Sequence, residues 1–136
     1  GHRRLAFLVL DCFNEVGDEI TDLPLYLELA VTLHRDECAM NIIADRQAKL
    51  GKDFFRGNVQ MSMLYVIEMM RNGNFDDVQW MIRNVDASEY GNPADMSFDD
   101  CMRRKLFLVM MAEIHQKLQL PQYRTAEAWK DFDPLG

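Results

Sequence analysis

Residues 53–77 read DFFRGNVQMSMLYVIEMMRNGNFDD, and the spacing of their apolar side chains decides the fold class. Phe55, Val59, Met63, Val66 and Met70 recur every three or four positions, which is the period of one helix face and not the alternation of a strand. Asn72-Gly73 supplies a C-terminal cap, because glycine enters the left-handed region without steric cost. Asn74 followed by Asp77 has the form of a capping box and starts another helix, expected to bury Val78, Met81, Ile82 and Val85.

The same punctuation extends in both directions. Upstream, residues 3–20 place Leu5, Leu8, Val9, Cys12, Val16 and Ile20 at helical spacing, and these are the expected core of a first helix. Leu5 to Leu10 alone would also fit a buried strand, but no second run offers it a partner. A second helix is expected after Thr21 or Asp22 as N-cap, with Pro24 tolerated in its first turn, running to Leu50 before Gly51. Tyr26, Leu29, Leu33, Met40, Ile43 and Leu50 form its seam. The polar block His34-Arg35-Asp36-Glu37 interrupts that seam, where the helix is expected to bend or break.

Downstream, Ala87 to Met96 contains Gly91, Asn92 and Pro93 and reads as a loop. Ser97 with Asp100 caps a last long helix whose run from Leu106 to Ala112 is apolar on every side, which predicts a central position. Pro121 follows its end. The expected architecture is an all-α, single-domain bundle of about five helices over residues 1–120, with a short aromatic and acidic tail over residues 121–136. Thr125 can cap a short helix carrying Trp129 and Phe132. Those aromatics either close one end of the bundle or dock into a partner, including a second copy of the chain.

A chain of 136 residues buries about two-thirds of its unfolded surface, so no metal or disulfide is required for stability and no cofactor is expected. Three well-separated cysteines, Cys12, Cys38 and Cys101, read as reduced core thiols of a cytoplasmic protein. No apolar run approaches the ~20 residues of a membrane span, and Leu5 to Leu10 is too short for a secretion signal. Gly1-His2 reads as the remnant of an expression tag. Ten methionines, among them Met61, Met63, Met69, Met70, Met110 and Met111, read as core filling, with an adaptable binding surface as the competing reading.

Charge is the strongest functional signal. Between Asp11 and Asp45 the chain carries nine acids against the single base Arg35, in a protein of net charge −7. Asp11, Glu15, Asp18 and Asp22 follow helical spacing, with Glu19 beside them, although like charges so placed cost a few tenths of a kcal/mol per pair. Arg3 and Arg4 stand at the opposite, N-terminal end, the reverse of what the helix dipole favours. Two compensations are open. Arg46, Lys49, Lys52 and Arg56, or Arg103, Arg104 and Lys105, can lie against the acids within the fold. Alternatively, the acids face a basic partner protein whose approach they steer. Small acidic immunity proteins, antitoxins and phage inhibitors act in this second way as a general class. The expected contact residues are Asp11, Glu15, Asp18, Glu19 and Asp22, with Trp129 and Phe132 from the tail, and self-association through the tail is compatible.

Other chemistries fit less well. A Mg²⁺-dependent helical phosphohydrolase would draw on Glu15, Asp18, Glu19, Asp22 and Glu28, but no matching Glu-x-x-Glu or Glu-x-x-Asp pair and no Glu-x-x-His occurs on another helix. His34 and Cys38 with Cys12, Cys101 or His115 have the softness for Zn²⁺, yet there is no Cys-x-x-Cys pair. No Gly-x-Ser-x-Gly turn presents a nucleophile. The helix, loop, helix unit ending in Arg103, Arg104 and Lys105 would suit nucleic acid, but Asp99 and Asp100 in the first turn repel phosphates and the isoelectric point is near 4.9.

Overall fold

The computed structural model describes residues 2–17 and 20–135. Among them the chain forms α-helices joined by turns, with no strand, so the all-α class holds. The helices are α1 (His2–Val16), α2 (Leu23–Thr32), α3 (Asp36–Leu50), α4 (Val59–Arg71), α5 (Phe75–Asn84), α6 (Phe98–Lys117) and α7 (Ala126–Trp129). The expected number of about five is corrected to these seven, because the second segment divides at His34 and the tail contributes α7. Among the described residues no helix is long and apolar enough to cross a membrane. The chain gathers into two compact units, residues 1–54 with 135–136, and residues 55–134.

In the first unit α2 lies between α1 and α3, and Tyr26, Leu27, Ala30 and Val31 are buried. Asp22 caps it as expected, its carboxylate accepting the Leu25 N–H at 3.2 Å, with Pro24 in the first turn. The helix stops where the chain turns left-handed at His34, φ 56°. There the His34 N–H donates to the Val31 carbonyl at 3.2 Å and the Arg35 N–H to the Ala30 carbonyl at 2.8 Å, a Schellman closure with histidine where glycine is usual. α3 buries Ala39, Ile42 and Ile43, and Leu50 at its end is exposed.

The expected core of α1 is corrected. Leu10 is buried and Ala6, Phe7 and Phe13 are half-buried, whereas Leu5 is 60% and Leu8 55% exposed, and Val9, Cys12 and Val16 also face solvent. The Leu5–Leu10 run is apolar on all sides, so periodicity could not choose between its two faces. Phe13 settles the choice by packing edge-on against Tyr26, ring centroids 5.8 Å apart.

The second unit is built around α4, in which every residue from Met61 to Arg71 is buried. The helix, expected from about Asp53, starts at Val59, because Asn58 takes the N-cap and accepts the Met61 N–H at 3.0 Å. It ends in a Schellman closure, with the Gly73 N–H on Met70 and the Asn74 N–H on Met69. Met61, Met63, Met69, Met70, Met110 and Met111 are all buried. Asn74 occupies the N-cap of α5 without a capping side-chain bond, its amide donating instead toward Met69 Sδ at 3.7 Å. Ser97 caps α6 as expected, accepting the Asp100 N–H at 3.2 Å.

The central position expected for α6 is also corrected. Phe107, Met110, Met111 and Ile114 are buried, while Phe98, Met102, Leu106 and Val109 form an exposed row. The cysteines differ from expectation as well, since Cys12 is exposed and Cys38 and Cys101 are half-buried, all three free.

Candidate functional site

The acidic row on the first helix is shorter than its spacing suggests. α1 ends at Val16, so Asp11 and Glu15 share its edge while Asp22 belongs to the N-terminus of α2. Asp18 and Glu19 lie outside the described residues. Asp11 and Glu15 are both exposed.

Folding brings further acids to the same place. The left-handed turn at His34 starts α3 beside the middle of α1, and Asp11, Asn14, His34, Arg35, Asp36, Glu37 and Cys38 line a groove of about 600 Å³ floored by Leu10. Arg35, the guanidinium in that groove, lies over the Phe7 ring at 4.7 Å from its centroid, and Arg3 lies over the same ring at 5.4 Å. Beyond Asn14 and Cys38 a second groove of about 240 Å³ continues past Gly17, Ile20, Tyr26 and Asp45.

A hydrogen-bonded wall separates the two grooves. The Tyr26 hydroxyl donates to Asn14 Oδ1 at 2.6 Å, and Asn14 Nδ2 donates to Cys38 Sγ at 3.7 Å. Burial, reinforced by the charge and hydrogen bonding of Cys38, pushes the Tyr26 phenol from 10.0 up to about 12. Tyr26 is therefore a neutral donor throughout the physiological range. At the far end the Lys49 ammonium, 3.0 Å from Asp45, together with Arg46, holds the Asp45 carboxyl below the usual carboxylate range.

Four of the bases that sequence reasoning offered as internal partners have other contacts within their own units. Arg46 and Lys49 pair with Asp45, Arg56 pairs with Glu89 at 2.8 Å, and Arg104 donates to the Ala87 carbonyl at 3.1 Å. Among the described residues of the first unit no ion pair reaches Asp11, Glu15 or Asp22. His34 and Cys38 share the groove with Asp11, but among the described residues no group of three or more His, Cys, Asp or Glu side chains converges on a metal position.

The tail residues are placed differently from the acids. Trp129 is only 4% exposed; its Nε1 donates to the Tyr123 carbonyl at 2.6 Å, and its ring meets Phe132 edge-on at 5.1 Å. Lys117 lies over the Tyr123 and Trp129 rings at 5.6 and 5.9 Å. Both aromatics pack within the second unit, with Phe132 half-buried.

Sequence reasoning located Asp11 and Glu15 but not the Tyr26–Asn14–Cys38 wall, nor the meeting of Asp11 with Asp36 and Glu37. The available signal was the polar block His34–Glu37, since a helix broken there must turn its acids back toward α1. Compared with known proteins, the chain matches no family model, and no curated protein or solved structure shows significant similarity to it.

Proposed function

We propose that this chain is a non-enzymatic, acidic protein-binding module of the inhibitor, immunity or adaptor type, and that it engages a basic surface of another protein. The contact runs from the acidic edge of α1, Asp11 and Glu15, into the groove edged by Asp36 and Glu37. The observation that carries this reading is that Asp11 and Glu15 are exposed and draw no base from the described residues of their own unit. Two like charges one helical turn apart repel, and a cationic partner removes that cost on binding. The resulting field also speeds encounter in a salt-sensitive manner.

Arg35 lines the same groove with its guanidinium over Phe7 and forms no ion pair with Asp11 or Glu15. The test is capture from a native lysate at low and high salt, with wild type beside the Asp11→Lys/Glu37→Lys variant. The expected result is a basic protein retained by wild type at low salt, released by added salt and not retained by a variant of unchanged helicity. Equal retention by both forms would refute the assignment.

A further inference from the structure

The outward side of α1 carries an apolar row, Leu5, Leu8, Val9, Cys12 and Val16, whose members are all exposed. It lies on the side of the helix away from Leu10 and the Phe7 and Phe13 rings. Its charges run against the helix dipole, with no acid in the first turn, no base in the last, Arg3 and Arg4 at the N-terminal end and Glu15 at the C-terminal end. Both peculiarities have one resolution. We propose that α1 is a self-association surface, pairing antiparallel with α1 of a second copy of this chain.

The register follows from the row itself. Centring it on a twofold axis between Leu8 and Cys12 sets residues of the two copies level when their numbers sum to about 20. Leu8 then faces Cys12 of the second copy, and Leu5 comes within one residue's rise of its Val16. A twofold axis across an antiparallel pair puts the same edge of both helices on one side. Arg4 and Glu15 share an edge of α1, so Arg4 of each copy comes within one residue's rise of Glu15 of the other.

The arrangement is self-complementary in charge, and it sets the N-terminal dipole of each helix beside the C-terminal dipole of its mate. Asp11 lies further round the helix, on the groove side, and stays open. The exposed row of α6 lacks this match, since centring it between Met102 and Leu106 brings no acid within one residue's rise of Arg103, Arg104 or Lys105 of the second copy. Glu15 serves both this pairing and the proposed partner contact, so the two are tested apart, self-association on Leu8 and partner capture on Asp11 and Glu37.

One helix pair makes a small interface, below ~1,200 Å² in total, so the expected dimer is weak and reversible. Sedimentation equilibrium of the whole chain at low salt, from micromolar to millimolar concentration, should show a monomer–dimer equilibrium. Leu8→Glu, on an exposed position, should keep the helical circular dichroism and raise the dissociation constant more than about tenfold. Arg4→Glu and Glu15→Arg should each weaken it about threefold, and the two together should return it to near the wild-type value. Leu106→Glu on α6 should leave it unchanged. A chain monomeric at every concentration, a dimer insensitive to Leu8→Glu, a dimer broken by Leu106→Glu, or a double charge swap that does not restore association would each overturn the proposal.

Discussion

Tyr26 and Asn14 join α2 to α1 through a 2.6 Å hydrogen bond from the phenol to Asn14 Oδ1, within reach of Cys38 on α3. One polar contact thus ties together the three helices that carry the acidic groove. Tyr26→Phe is expected to cost about 1 kcal/mol at neutral pH, the usual net worth of such a bond, since the exposed Asn14 can turn to water. The pH dependence is more specific. The phenol of the folded chain ionises near 12 against 10.0 for a free one, so above pH 10 the unfolded chain loses its proton first. Wild-type stability attributable to Tyr26 is therefore intact below pH 10 and lost as pH rises toward 12. Urea unfolding of wild type and Tyr26→Phe across that window should show the difference between them shrinking. A constant difference would remove the phenol from the linkage.

His34 holds a left-handed conformation, φ 56°, that costs a residue with a Cβ roughly 1 kcal/mol. Its N–H and that of Arg35 close the end of α2, and glycine serves the same closure without the penalty. His34→Gly is expected to stabilise the chain by about 0.5–1 kcal/mol, read as a rise of a few degrees in melting temperature. A lowered melting temperature would mean that the imidazole itself holds the corner. A stabilised variant that no longer captures its partner would mark the strain as maintained for binding.

Gly73 combines two requirements at the end of α4. Its φ is 75°, and a Cβ there would stand 3.1 Å from the Ala126 Cβ at the start of α7. Gly73→Ala should cost on the order of 1–2 kcal/mol, partly from the backbone and partly from pushing α7 away. Adding Ala126→Gly should recover the steric part only, so a double-mutant cycle should show a favourable coupling. Strictly additive losses would place the whole cost in the backbone angle.

The parts legible in the sequence were those governed by neighbours along the chain. Ser97 and Thr125 were identified as caps, and Asp22 as one of two candidates with Thr21, because the side chain that satisfies the free N–H groups sits three residues or fewer from them. Glycine at 73 was legible for the same local reason. The faces of α1 and α6 were not, because each helix is apolar on more than one side and only the arrival of Tyr26 or α4 decides which side is covered. The acidic row was half legible: spacing gave Asp11 and Glu15, whereas the helix end at Val16 removed Asp22 and the turn at His34 supplied Asp36 and Glu37 instead.

The tail offers the largest expected effect. Trp129 is buried among Tyr123, Phe132 and the end of α4, and the Phe132 carbonyl accepts the Nε–H of the buried Arg71 at 2.7 Å. Ending the chain after Leu120 exposes that apolar surface and deprives Arg71 of an acceptor. Both losses act on α4, around which the second unit is built. The expected cost of truncation is several kcal/mol, and of Trp129→Ala about 3–5 kcal/mol, measured by urea unfolding. Trp129→Phe keeps much of the ring but loses the 2.6 Å bond to Tyr123, and should fall between wild type and alanine. A truncated chain that unfolds at the wild-type urea concentration would show that α7 adds no stability to α4, and a phenylalanine variant as damaged as alanine would place the effect in the indole N–H.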